Sequence, residues 1–182
     1  SAAPTITFDG NNSSGEYTFA YTLNGSATTI TTSGSDIATV TAPTSVPGTF
    51  TYALVSVTDP ATGCSQNVNS TQVIMVNPLP TATVIGTATV CQGAPSQQVV
   101  FEGQSGTSNY TFTYTLNGGA NQTITTSGTS TATITVPTTA AGTFSCTLVN
   151  VEDVTTGCSQ TQTGNATVTV NPMPTATIAG AT

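Results

Sequence analysis

Lysine, arginine, histidine and tryptophan are all absent from this chain. With no cationic side chain, no side-chain salt bridge can form, no phosphate can be clamped, and no basic patch can attract nucleic acid or an anionic membrane. The same absence removes the usual bases that activate serine, threonine or cysteine nucleophiles, so the sequence reads as a non-enzyme. Glu152 and Asp153, adjacent on an expected strand end, point to opposite faces and make a poor acid/base pair. No trypsin-type cleavage site remains, which suits life among secreted proteases; drift in a Thr/Ser/Asn-rich repeat explains it equally well. No apolar run approaches the roughly 18 residues of a membrane-spanning helix, so no direct membrane insertion is expected. The N-terminus lacks the positive and apolar regions of a secretion signal, which fits either a processed protein or an internal window of a longer one.

What is present points to folded β structure. The 182 residues are 36% hydrophobic and 4% charged, with a net charge of −7. Disordered chains are usually charge-rich and poor in β-branched residues, whereas threonine and valine abound here. The length fits one large domain or two small ones.

The stretch YTFAYTLNG from Tyr17 returns as YTFTYTLNG from Tyr110, an offset of about 93 that becomes about 94 from ITTSG onward. One residue is therefore inserted in the intervening hairpin. Further on, PGTFTYALVSV answers AGTFSCTLVNV, GCSQ occurs twice, and VNPLPTATVIG answers VNPMPTATIAG. Tyr17, Phe19, Tyr21 and Leu23 alternate with Thr18, Ala20 and Thr22 and end in an Asn-Gly hairpin signal. Ile6 with Phe8 (Val99 with Phe101), Ile30, Ala38 with Val40, Phe50 with Tyr52 and Leu54, and Ile74 with Val76 mark the other strands. No segment has a helical period. A repeat of about 94 residues with these turn signals has the size of an immunoglobulin-like domain. The expected class is all-β: tandem β-sandwiches of roughly seven strands each, in a linear array.

Repeat 1 covers residues 1–77 and lacks its first strand, repeat 2 covers 78–171, and 172–182 matches the first strand of a following repeat. The two prolines of VNPLP force an extended, stiff connector, so the units are expected to form a rod. The strand missing at one end equals the strand left over at the other. A window cut from a covalent array is the simpler account, since inter-repeat linkers need no special machinery. Alternatively, the trailing strand completes the next subunit by strand addition and removes an exposed edge.

The run NPLPTATVIGTATVCQG, followed by GTFSCTLVNVEDVTTGCSQ, resembles the PKD-like and Ig-like tandem repeats of very large Bacteroidetes cell-surface proteins. Among these are gliding-motility adhesins exported by type IX secretion. The resemblance covers essentially the whole chain, twice. It implies an extracellular, cell-surface filament or adhesin stalk, with no catalytic residues and no cofactor.

Four cysteines without histidine or a close CxxC pair point to disulfides in an oxidising compartment, not to zinc. Cys91–Cys158 is the favoured pair, supported by the resemblance, because Cys146 matches Tyr52 and reads as a free, substituted core residue. Cys64 matches Cys158, and its partner would fall upstream of this chain. In standard immunoglobulin topology Cys91 and Cys158 lie at opposite poles, beyond the roughly 4.4 to 6.8 Å Cα separation of a disulfide. Cys91–Cys146, or a bridge to a neighbouring repeat, therefore stays open.

Asp9 aligns with Glu102 and Asp59 with Asp153, each pair expected near one pole, where a calcium site between domains is conceivable. Solvated turn residues account for them better, since calcium takes roughly six to eight oxygens and no DxDxDG loop occurs. No metal is favoured. The Tyr and Phe residues fall on the inward register and read as core, not as a glycan platform. Rows of outward hydroxyls (Thr87/Thr89, Thr111/Thr113/Thr115, Thr131/Thr133/Thr135, Thr167/Thr169) resemble ice-binding arrays, but sheet twist would spoil a flat lattice. Sequons at Asn11, Asn12, Asn24, Asn69, Asn109, Asn121 and Asn165 are of the kind an Asn/Thr-rich chain produces by chance.

The expected function is thus a structural spacer or filament module that projects an adhesive region from the cell. Its partners are neighbouring copies of the repeat, head to tail, with lateral self-association between rods; nucleic acid is excluded. The alternatives are a subunit polymerising by donor-strand addition and a glycan- or ice-binding module using outward Thr faces.

Overall fold

The alternation in YTFAYTL builds the strand that organises each repeat. In the computed structural model, which describes residues 3–11 and 15–180, Phe19 and Tyr21 are buried while Ala20 and Thr22 are half-buried. The strand ends at Asn24-Gly25, whose φ values of 49° and 85° are those of a tight left-handed hairpin turn. Asn24 fixes the turn to a neighbouring strand: its Oδ1 accepts from the Thr51 N–H at 2.8 Å. Asn117-Gly118 repeats the device with φ of 50° and 71°, and Asn117 Oδ1 accepts from the Ser145 N–H at 2.8 Å.

The chain divides into two compact units, Ser1–Asn77 and Pro78–Thr182. Unit 1 contains β1 (Thr5–Asp9), β2 (Thr18–Leu23), β3 (Ser26–Thr31), β4 (Ile37–Thr41), β5 (Gly48–Thr58) and β6 (Ser65–Val76). Its sheets are β1-β4 and β3-β2-β5-β6, all antiparallel. The core between them stacks Phe8 on Phe19 (5.5 Å between ring centroids) and Tyr21 (4.9 Å), with Tyr52 beside Tyr21 at 6.4 Å.

Unit 2 contains β7 (Thr81–Ile85), β8 (Ala88–Cys91), β9 (Gln97–Gln104), β10 (Tyr110–Leu116), β11 (Asn121–Thr125), β12 (Thr131–Val136), β13 (Gly142–Asp153) and β14 (Ser159–Asn171). Its sheets are β12-β9-β7 and β11-β10-β13-β14-β8, an immunoglobulin-like sandwich whose opening strand is shared between sheets. β7 lies antiparallel to β9, then the chain crosses and β8 runs parallel to β14. The crossing turns on Gly86: its φ is +124°, and a Cβ there would sit 2.3 Å from the Gln98 carbonyl oxygen. Phe101 stacks on Phe112 at 5.5 Å and Tyr114 at 5.0 Å, the same aromatic pattern as in unit 1.

The architecture is all-β with no helix among the described residues. Strand numbers lie close to the expectation of roughly seven per unit. The described residues form six strands in unit 1 and eight in unit 2, because the opening strand of unit 2 is split in two and has no counterpart among the described residues of unit 1.

Candidate functional site

All four cysteines are free thiols: Cys64 and Cys91 exposed, Cys158 half-buried, Cys146 buried. The topology explains why the expected Cys91–Cys158 bridge does not form. Cys91 closes β8 opposite Asn171, the last residue of β14, whereas Cys158 precedes Ser159, its first. The length of β14, roughly 40 Å at ~3.3 Å per residue, separates them. Cys146 pairs with Ala166 on β14, roughly 17 Å along from the Cys91 level, so Cys91–Cys146 fails as well. Cys146 is a core residue, and burial pushes its thiol up to about 11.

Asp153 is not a solvated turn residue but a buried one, 1% exposed. Its carboxylate accepts from the Thr107 N–H (2.8 Å) and hydroxyl (2.7 Å) and from the N–H groups of Thr155 (2.9 Å) and Thr156 (3.3 Å). Burial acts to raise its pKa, but these donors outweigh it and hold the carboxyl below its ordinary value. A cradle of donors suits the carboxylate itself and leaves its oxygens engaged, the opposite of a cation site. Asp59 Oδ1 accepts from Ala61 N–H at 2.8 Å in the matching turn of unit 1. Asp9 is exposed and Glu102 half-buried, and the described residues contain no cluster of three or more potential metal ligands.

Asn11, Asn24, Asn69, Asn121 and Asn165 are exposed, Asn109 is half-buried with its Oδ1 holding the Gly128 N–H, and Asn12 lies outside the described residues. The threonine rows do occupy outward positions, but neighbouring strands use them against each other: Thr111 and Thr125 hydroxyls are 2.9 Å apart, and Thr18 and Thr31 are 3.1 Å apart.

Among the described residues the two units differ at their sheet edges. In unit 2, β7 covers the outer edge of β9 and β8 that of β14; among the described residues nothing pairs with the equivalent edges of β1 and β6. The burial pattern follows. Leu148 and Ala166 are sealed at 1% and 0% exposure, while their counterparts Leu54 and Gln72 are half-buried and exposed. A groove of about 150 Å³ runs along this edge, lined by Ile6, Phe8, Tyr52, Leu54, Ser70 and Gln72 among others. Tyr52 is 2% exposed, yet its hydroxyl has no hydrogen-bond partner. Burial, with Tyr21 beside it, pushes the phenol pKa up. A buried hydroxyl in this state costs about 1–3 kcal/mol.

Residues 175–180 match Thr81–Gly86, the segment that closes unit 2. They form no strand, all are exposed, and Ile178 is 100% exposed. The last two residues of the expected trailing strand lie outside the described residues.

No protein-family model matches the chain, and no curated protein matches it. Among solved structures it is similar to one described as giving structural insight into host cell surface retention of a 1.5-MDa bacterial ice-binding adhesin. The identity is 17% and the TM-score 0.46, covering 92% of this chain and 57% of that one. It is similar also to the D0-D1 domain of intimin (16% identity, TM-score 0.33, 92% and 81% covered). A third is an amphioxus IgVJ-C2 molecule (18% identity, TM-score 0.35, 93% and 97% covered). The chain spans little more than half of the first of these, and the likeness is one of fold.

Proposed function

We propose that the chain is a structural spacer or filament module of an extracellular surface fibre or adhesin stalk, holding an adhesive region away from the cell. The observation that carries this reading is the tandem repetition itself. Two copies of one sandwich follow each other across a connector with prolines at 78 and 80, and the connector and first-strand sequence recur after the second copy. Prolines at two positions of so short a connector favour an extended backbone between the units, as a spacer needs. The absence of cationic side chains and the cross-bonded threonine faces favour a non-adhesive shaft. On the strength of the sequence resemblance, we read the parent as a giant Bacteroidetes surface protein of the gliding-motility type, exported by type IX secretion.

Antibodies against the chain, gold-labelled on intact cells of the source organism, test this directly. A spacer is expected to label along surface fibres, and the isolated 182-residue chain is expected to bind neither a glycan array nor ice. Binding to either that is lost on replacing the outward threonines would make it an adhesive module instead.

A further inference from the structure

We propose that the outward face of the β3-β2-β5-β6 sheet in unit 1 is a lateral docking surface for the same face of a second copy of this chain. The inference rests on the fibre reading for its setting, and it gives neighbouring shafts a way to associate side by side.

The two units differ on this face although their cores match. The strand registers set Ala20, Ala27 and Ala53 of unit 1 at the outward positions that Thr113, Asn121 and Thr147 hold in unit 2. These positions lie on strands that both units possess, so the contrast is one of side chains and is independent of the strands at either end of the chain. Val55 sits at the β-bulge, where pairing shifts between Ala20 and Tyr21 on one side and between Leu54 and Ser56 on the other. It therefore opposes no residue and projects outward at 46% exposure, whereas its counterpart Val149 is half-buried. Beside Val55, the small side chains of Ala20 and Ala27 line a shallow depression of about 360 Å³. A protruding side chain next to a depression on one face is what a two-fold pair requires, since Val55 of each copy enters the depression of the other.

Electrostatics select the occupant. The chain has seven acidic residues and no cation, so copies repel wherever their carboxylates meet. None of the seven lies on β2, β3, β5 or β6, whereas β13, in the matching sheet of unit 2, ends in Asp153 and an exposed Glu152. Unit 1 thus offers a second copy an approach without opposed like charges, and offers a cationic partner nothing to bind. Two sheets of equal twist pack face to face about 10 Å apart. Four strands spaced ~4.8 Å apart and about six residues long cover roughly 400 Å² per copy, about half of what each partner buries in a stable complex. One contact is therefore weak, and several along a shaft reinforce one another.

Sedimentation equilibrium of the 182-residue chain should show monomer and dimer with a dissociation constant of about 0.1–1 mM. Amide NMR over the same concentrations should place the shifting resonances at Ala20, Ala27 and Val55. Val55→Asp buries unpaired carboxylates in the contact and should weaken the dimer at least roughly 10-fold, while Thr123→Asp on the matching face of unit 2 should leave it unchanged. Ala20→Thr with Ala27→Asn gives unit 1 the residues with which unit 2 already folds, and should abolish association by filling the depression. Circular dichroism and thermal unfolding verify that each variant is folded. A chain that stays monomeric at about 1 mM, a dimer that survives Val55→Asp, or shifts confined to the outer edges of β1 and β6 or to residues 172–180 would each overturn the proposal. Labelled surface fibres with a monomeric chain would remove only the lateral contact; a dimer without labelled fibres would remove only the fibre reading.

Discussion

Units 1 and 2 have the same hairpin turn, the same aromatic stack and the same threonine-rich outer positions, yet β7 and β8 cover the edges of two strands in unit 2 and, among the described residues, nothing pairs at the two matching edges of unit 1. The difference lies in β7 and β8 and not in the core-forming alternation, which is nearly identical in both. A sandwich of this kind therefore takes its core register from the strands the two units share, while the burial of its outermost core residues depends on the segment that precedes them.

The comparison is broken most severely by truncating the residue both cores share. Phe101→Ala, at a site with 0% exposure beneath β7, is expected to lower the stability of unit 2 by about 4 kcal/mol. Phe8→Ala, on the rim of the open groove, should lower that of unit 1 by about 2–3 kcal/mol, because solvent can enter the space left behind. Hydrogen exchange with peptic digestion reads the two units separately in one chain; equal losses would mean that the open edge matters little to the core beneath it.

Glycine substitution sharpens the contrast between a seated strand and its unseated copy. Gly86→Ala places a Cβ 2.3 Å from the Gln98 oxygen at a φ of +124° and should destabilise unit 2 by about 2–3 kcal/mol. Gly180→Ala, with nothing within 4 Å, should leave both units unchanged in thermal unfolding of the free chain. One residue type in matching positions thus separates a glycine that close backbone approach requires from one that nothing in the structure requires.

The acid response should also differ between units. The folded-state pKa of Asp153 is lowered, so its contribution is fully present above the unfolded value of about 3.9 and is lost as pH falls through the lower folded one. Asp153→Asn should cost unit 2 roughly 2 kcal/mol near neutral pH and remove that part of its acid sensitivity. Exchange rates of β13 amides against pH check both, and an unchanged profile in the variant would dismiss the carboxylate as the cause.

Much of this was legible in the residues, and the exceptions have physical reasons. Alternation located the strands and Asn-Gly the hairpins, because each is a local effect. Asp153 was misread as solvated because the Thr107 donors that enclose it come from another loop, and nothing in DVTTGC announces them. The cysteine pairing failed for a topological reason: Gly86 hands the chain from one sheet to the other, sending Cys91 along β14 to the end remote from Cys158. The unpartnered hydroxyl of Tyr52 had no signal in the sequence. The Tyr52/Cys146 mismatch was the only hint of a difference in the lining.

That hydroxyl supports the smallest and most discriminating prediction. In the free chain, Tyr52→Phe removes a buried group with no hydrogen-bond partner and keeps the ring that packs on Tyr21, so unit 1 should gain about 1 kcal/mol. Thermal unfolding combined with amide exchange in β5 checks this: a gain would show that the hydroxyl is a net cost where it lies, whereas unchanged or lowered stability would show that it finds a partner in solution.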